Sequence, residues 1–104
     1  MPVKLKICGF TTLEDALIAV QLGVDWLGFN FYPGSPRYIK PQKAAAIIKK
    51  LPKQVHCVGI LVKPTLSEAK EIIQTSDVHR VQIYEPQDFN DLSILPVPPN
   101  IVFE

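Results

Sequence analysis

Val3-Lys4-Leu5-Lys6-Ile7-Cys8-Gly9-Phe10-Thr11-Thr12-Leu13-Glu14-Asp15 places a strand, a turn and the start of a helix side by side. Val3–Ile7 has the length and composition of a strand. Thr11, with Glu14 three residues on, has the spacing of a capping box, which opens a helix. Cys8 therefore falls where a strand ends and turns toward its helix. In α/β proteins the carboxyl ends of the strands are where chemistry collects, so a thiol at that mouth is a candidate general base or nucleophile.

The same unit recurs along the chain with a short, regular period. The first helix is expected from about Thr12 to Leu22, with Gly23 taking the left-handed turn that ends it. Trp26–Phe31 forms a second strand, followed by a loop, Tyr32–Tyr38, dense in turn residues. Pro41 suits the first turn of a second helix that reaches about Leu51. Val55–Val62 is the third strand, and Thr65 with Glu68 is a second capping box, opening a third helix to about Gln74. Val78–Ile83 is the fourth strand. Residues 85–104 are an irregular, Pro-rich tail (Pro86, Pro96, Pro98, Pro99) in which Asp88–Leu92 allows a helical turn or two. Only Ile101-Val102-Phe103 there resembles the start of a fifth strand.

These strands are mostly near-continuous apolar runs without sustained polar alternation, which favours a parallel sheet covered on both faces. Four βα units with right-handed crossovers fit either a complete flavodoxin-like, doubly wound domain or part of a (β/α)8 TIM-type barrel, and periodicity does not choose between them. The 104 residues leave room for a single domain with one core. Eleven basic and ten acidic residues give a net charge of +1, too balanced for a nucleic-acid or anionic-membrane surface. No apolar run reaches the roughly 18–20 residues that span a bilayer, and the amino terminus lacks the apolar core of a signal peptide. A cytoplasmic α/β protein is expected.

Aligning the strand ends brings Cys8-Gly9, Asn30–Arg37, Val62-Lys63-Pro64 and Gln82–Glu85 to one face. Cys8 is the only thiol among them, and Arg37 the only guanidinium, whose planar fork suits a carboxylate or phosphate. A cysteine base with an arginine anchor points to a small anionic substrate. The bland readings are an inert core cysteine and an arginine that lies over Tyr38 at the surface. Cys57 is mid-strand and reads as core. His56 and His79 fall near the amino ends of strands, the stability face of such folds. No cysteine–histidine spacing resembles a zinc site, and Gly28, Gly34 and Gly59 are too isolated for a phosphate-binding fingerprint.

Several stretches together resemble the phosphoribosylanthranilate isomerase family, (β/α)8 enzymes of tryptophan biosynthesis. They are Lys6-Ile7-Cys8-Gly9 with Thr11–Ala16, Gly23-Val24-Asp25 with Leu27-Gly28-Phe29, and Phe31-Tyr32-Pro33 with Ser35-Pro36-Arg37-Tyr38-Ile39. Val58–Val62 and Val81-Gln82-Ile83 continue the match in order and spacing, from about residue 4 to 83. The resemblance implies that this chain covers about the first four βα units of the barrel. It implies an Amadori rearrangement of N-(5'-phosphoribosyl)anthranilate to 1-(2-carboxyphenylamino)-1-deoxyribulose 5-phosphate, an isomerisation of aldose–ketose type. A general acid opens the ribose ring to an iminium, and a base then removes the C2' proton. Cys8 would be that base, partly ionised to act. Arg37 would hold the anthranilate end of the substrate by its carboxylate. The iminium is an internal electron sink, so neither a metal nor an organic cofactor is implied.

The chain departs from the family pattern at three places. Lys63 stands where the family usually has asparagine after valine, and Tyr84-Glu85 where it usually has His-Gly. The family's acid, an aspartate at the end of the fifth strand, and its phosphate-binding loops after strands seven and eight have no counterpart in these residues. The expectation is an amino-terminal half-barrel, incomplete and inactive alone, that associates through its open strand edges with a second copy or a missing carboxyl-terminal half. The alternative is a non-catalytic remnant that binds a partner or an anionic ligand.

Overall fold

The computed structural model describes residues 5–88. Val3 and Lys4 of the expected first strand, and the tail beyond Asp88, lie outside the described residues. The elements alternate as β1 (Lys6–Cys8), α1 (Leu13–Gln21), β2 (Trp26–Asn30), α2 (Pro41–Ile48), β3 (His56–Val62), α3 (Leu66–Ser76) and β4 (Arg80–Tyr84).

The helix ends follow from local chemistry. Thr12, not Thr11, caps α1: its backbone is extended and its hydroxyl accepts from Asp15 N at 3.2 Å. Thr-Thr-Leu-Glu-Asp carries two overlapping caps one residue apart, and the later one turns Ala16 and Ala19 into the core. Gly23 ends the helix as expected, with φ +87° and with Val24 N donating back to Ala19 O at 3.1 Å. The capping box at Thr65 and Glu68 is complete, and both hydrogen bonds are present. Those bonds from Thr65 hold the Glu68 carboxyl below its ordinary range. Helix α2 stops three residues short of the expected Leu51, in a tight turn closed by Lys50 N on Ile47 O and Leu51 N on Ile48 O.

All four strands are parallel, in the order β1-β2-β3-β4. Each unit advances one strand in the same direction, so right-handed crossovers place every helix on one face of the sheet. A flavodoxin-like sheet reverses direction at a switch point and carries helices on both faces. The uninterrupted order is that of a barrel wall. Leu27, Phe29, Cys57, Leu61, Val81 and Ile83 point to the helix face and are at most 2% exposed. They meet Ala16, Ala19, Ala44 and Ala69, small residues that let the helices lie close to the sheet.

The other face carries Lys6, Cys8, Trp26, Asn30, Gln82 and Tyr84, with Val58 and Ile60 between them, by the alternation of side chains along each strand. Strand β4 shows that alternation fully: Val81 and Ile83 are buried, and Arg80, Gln82 and Tyr84 only partly so. The expectation of strands covered on both faces is corrected here. Helices cover one face, and the inner face is of mixed polarity. Lys6 Nζ donates to Gln82 Oε1 across that face. Three strand spacings separate β1 from β4, about 14 Å on a flat sheet. A contact between side chains of the first and fourth strands fits a sheet curled toward its inner side, as in a barrel. At the β1 edge Leu5, Ile7, Ile18 and Leu22 remain exposed.

Candidate active site

Cys8 is the last residue of β1 and is half-buried on the inner face. Its neighbour across the ladder is Gly28. A Cβ built on Gly28 would stand 2.7 Å from Cys8 Sγ and 3.0 Å from Cys8 Cα, so the thiol occupies space that only a glycine leaves open. Gly28 O in turn accepts from Gly9 N at 2.9 Å and from Phe10 N at 3.3 Å, which fixes the turn leaving β1.

Arg37 reaches this turn from the loop after β2. Asn30 and Tyr38 form an isolated parallel bridge, and Ile39 N donates to Asn30 O at 3.0 Å, so the loop folds back onto the end of its own strand. Ile39 is buried beneath it. Inside the loop Ser35 Oγ accepts from Arg37 N at 3.1 Å, and Ser35 O accepts from Tyr38 N at 3.1 Å. The Arg37 side chain then crosses Gly9, where a Cβ would meet its Cδ at 2.4 Å, and Nη1 donates to the Cys8 carbonyl at 3.3 Å. Gly9 is doubly required, since its φ is +94°. The two residues singled out in the sequence are thus brought together.

A cavity of about 510 Å³ opens at the carboxyl ends of β2–β4, lined by Asn30, Ile60, Val62, Tyr84 and Glu85. Cys8 and Arg37 are not on its lining, and Asn30, the residue bridged to Tyr38, is. Two of the departures from the family pattern meet at its rim. Lys63 and Glu85 both have left-handed backbones (φ 51° and 52°), and their side chains pair at 3.8 Å in solvent. Asparagine and glycine, the usual family residues there, are the types that adopt this conformation most easily.

At the opposite end of the strands, His56 stacks on Trp26 with ring centroids 4.8 Å apart, and Arg80 lies 6.0 Å over the same indole. His79 Nδ1 accepts from Cys57 N at 2.9 Å, and His79 N donates to Cys57 O at 2.9 Å, so the imidazole extends the ladder by one rung. Burial pushes the Cys57 thiol up to about 12, which leaves it inert at neutral pH. Both histidines and Cys57 therefore stand away from the mouth, as read from the sequence.

Burial, and then the positive fields of His56 and Arg80, lower the His79 pKa from its ordinary 6.5. The folded state thus binds fewer protons than the unfolded state, and stability falls as pH drops below about 6.5 toward the lowered value. Denaturant midpoints between pH 8 and pH 5 should decrease on acidification, and His79→Asn, which keeps an acceptor for Cys57 N without titrating, should flatten the decline. An equal slope in that variant would contradict the assignment.

Asn30 and Gln82 were part of the strand ends read from the sequence but carried no role there. Their signal is period-two: each interrupts an apolar strand on the face that the helices do not cover.

A curled parallel sheet with all helices outside and polar groups gathered at its carboxyl mouth is the first four βα units of a (β/α)8 barrel. Comparison with known proteins resolves the class further. The family model for N-(5'-phosphoribosyl)anthranilate (PRA) isomerase matches residues 5–103, and this chain belongs to that family. The N-(5'-phosphoribosyl)anthranilate isomerase of Chloroherpeton thalassium is 51% identical over 83 residues, covering 80% of this chain and 38% of that protein. The crystal structure of phosphoribosyl anthranilate isomerase from Thermotoga maritima superposes with a TM-score of 0.77 at 41% identity, over 80% of this chain and 40% of that one. A phosphoribosyl anthranilate isomerase in complex with reduced 1-(o-carboxyphenylamino)-1-deoxyribulose 5-phosphate gives the same TM-score and identity, over 80% and 43% of the two chains. The chain spans about two fifths of the length of these relatives. Among the described residues no helix is long and apolar enough to cross a membrane.

Proposed function

We propose that this chain is the base-bearing part of a cytoplasmic N-(5'-phosphoribosyl)anthranilate isomerase, with Cys8 as general base and Arg37 as carboxylate anchor. The observation that carries this reading is the Arg37 guanidinium lying across Gly9 with Nη1 on the Cys8 carbonyl. It sets a guanidinium against the backbone of the residue that carries the thiol, at the strand mouth, where it supports the grip of an anionic aromatic ligand.

Once the sugar ring has opened to an iminium, the C2' proton is acidified by the adjacent C=N bond. Cys8 takes that proton as a thiolate, the C–H electrons move into the iminium, and the resulting enolamine tautomerises to the ketose. Arg37 binds and orients and takes no proton, because a guanidinium stays charged at any working pH. No residue of this sequence is assigned the ring-opening acid or the phosphate grip.

Calorimetry with reduced 1-(o-carboxyphenylamino)-1-deoxyribulose 5-phosphate, the compound bound in the solved relative, tests the anchor. Arg37→Ala should weaken binding by about tenfold or more, the usual cost of removing a charge-assisted hydrogen bond to a ligand. Unchanged affinity would refute the anchor role.

A further inference from the structure

Asn30 ends β2 in a half-buried position, and its side chain is held in one orientation. Oδ1 accepts from Tyr32 N at 2.9 Å. Only the carbonyl oxygen of a carboxamide can accept from an N–H, so this bond fixes which end of the amide faces the backbone. The NH2 end is turned away from it, and among the described residues it makes no hydrogen bond. Asn30 lines the 510 Å³ mouth cavity together with apolar Ile60 and Val62, and with Tyr84 and Glu85. An apolar floor with one fixed polar group is how small-molecule sites set orientation. The lining offers two side-chain donors, the Tyr84 hydroxyl and the Asn30 NH2, and the Asn30 amide is the one oriented by a backbone hydrogen bond.

We propose that Asn30 is a ligand-positioning residue whose NH2 donates to an acceptor oxygen of the anionic ligand held by Arg37. This rests on the isomerase reading and adds a second grip to the same site, from β2 instead of its loop. The Tyr32 N–H bond holds the amide in one orientation, so the ligand does not have to order it on binding.

Two variants separate the donor from the turn it also supports. Asn30→Asp keeps an acceptor for Tyr32 N but replaces NH2 with a charged oxygen. Asn30→Ser keeps a neutral acceptor and removes the NH2. In the barrel completed with the fifth to eighth βα units of the Chloroherpeton thalassium relative, calorimetric titration with reduced 1-(o-carboxyphenylamino)-1-deoxyribulose 5-phosphate should show both binding at least about fivefold more weakly, the loss of one neutral hydrogen bond. Thermal midpoints close to that of the unaltered chain should show that the turn persists. Binding by Asn30→Ser within twofold of the unaltered chain overturns the proposal, even if Asn30→Asp binds weakly, because the effect is then charge repulsion alone. If Asn30→Ser is unchanged while Arg37→Ala binds weakly, the Asn30 proposal fails and the isomerase reading stands. If the unaltered completed barrel does not bind the compound, both fail.

Discussion

Cys8→Ser is expected to lower isomerase turnover by about 10²–10⁴-fold, the usual contribution of a positioned general base. The measurement needs a complete barrel, which can be supplied by joining this chain to the fifth to eighth βα units of its Chloroherpeton thalassium relative. Serine differs from cysteine by one atom and fits the space above Gly28, so the fold and ligand affinity should hardly change. An alkoxide is far harder to form than a thiolate, so serine is a poor replacement for a cysteine base. The loss should therefore fall on kcat and leave KM nearly unaltered. Arg37→Ala should show the opposite division, with KM rising more than kcat falls.

The next largest effect is expected from Gly28→Ala. Alanine is ordinarily the better strand residue, so propensity alone would predict a small gain in stability. The added Cβ, however, meets Cys8 Sγ at 2.7 Å and the Cys8 Cα and Cβ at 3.0 Å. Rotating the thiol relieves only the first of these contacts. The rest require β1 to move outward, and β1 is an edge strand in the described sheet, tied at its mouth by the bonds of Gly9 N and Phe10 N to Gly28 O. Overpacking of this kind costs about 1–3 kcal/mol. The thiol would be displaced with the strand, so turnover in the completed barrel should fall as well. Denaturant unfolding checks the first effect, and a variant as stable as the parent would show that the close approach is not a constraint.

The strand–helix rhythm was legible because each unit carries its own punctuation. Thr65 with Glu68 and Gly23 mark helix ends through bonds made within a few residues, Pro41 marks one through its fixed φ and missing N–H, and the structure places them as expected. The choice between a doubly wound sheet and a barrel was not legible from periodicity. It depends on which strand pairs with which, a long-range property that leaves no local mark, and only the family resemblance indicated it. The mixed inner face was missed for a related reason. Lys6, Asn30 and Gln82 look like isolated polar residues in apolar runs until the register sets them on one side of a curled sheet.

The neighbourhood of Cys8 and Arg37 could be anticipated because both lie at carboxyl ends of strands that a parallel sheet must align. The contact itself could not, since it requires Gly9 to be bare and the Ser35-Pro36-Arg37 turn to fold back on Asn30. The pairing of Lys63 with Glu85 was equally hidden. Two separate departures from a family pattern proved to be neighbours, both in left-handed backbone, at the rim of one cavity.

The central claim is that Cys8 takes the C2' proton, and a comparison of two single-thiol variants in the completed barrel addresses it most directly. Phosphoribosylanthranilate is labile, so the substrate is generated in situ and its conversion is followed at neutral pH. Cys57→Ser, which alters the buried and unreactive thiol, should retain a kcat within a few fold of the parent provided the barrel folds, whereas Cys8→Ser should lose at least about a hundredfold. A Cys8→Ser barrel that binds its ligand and turns over at the parental rate would contradict the assignment.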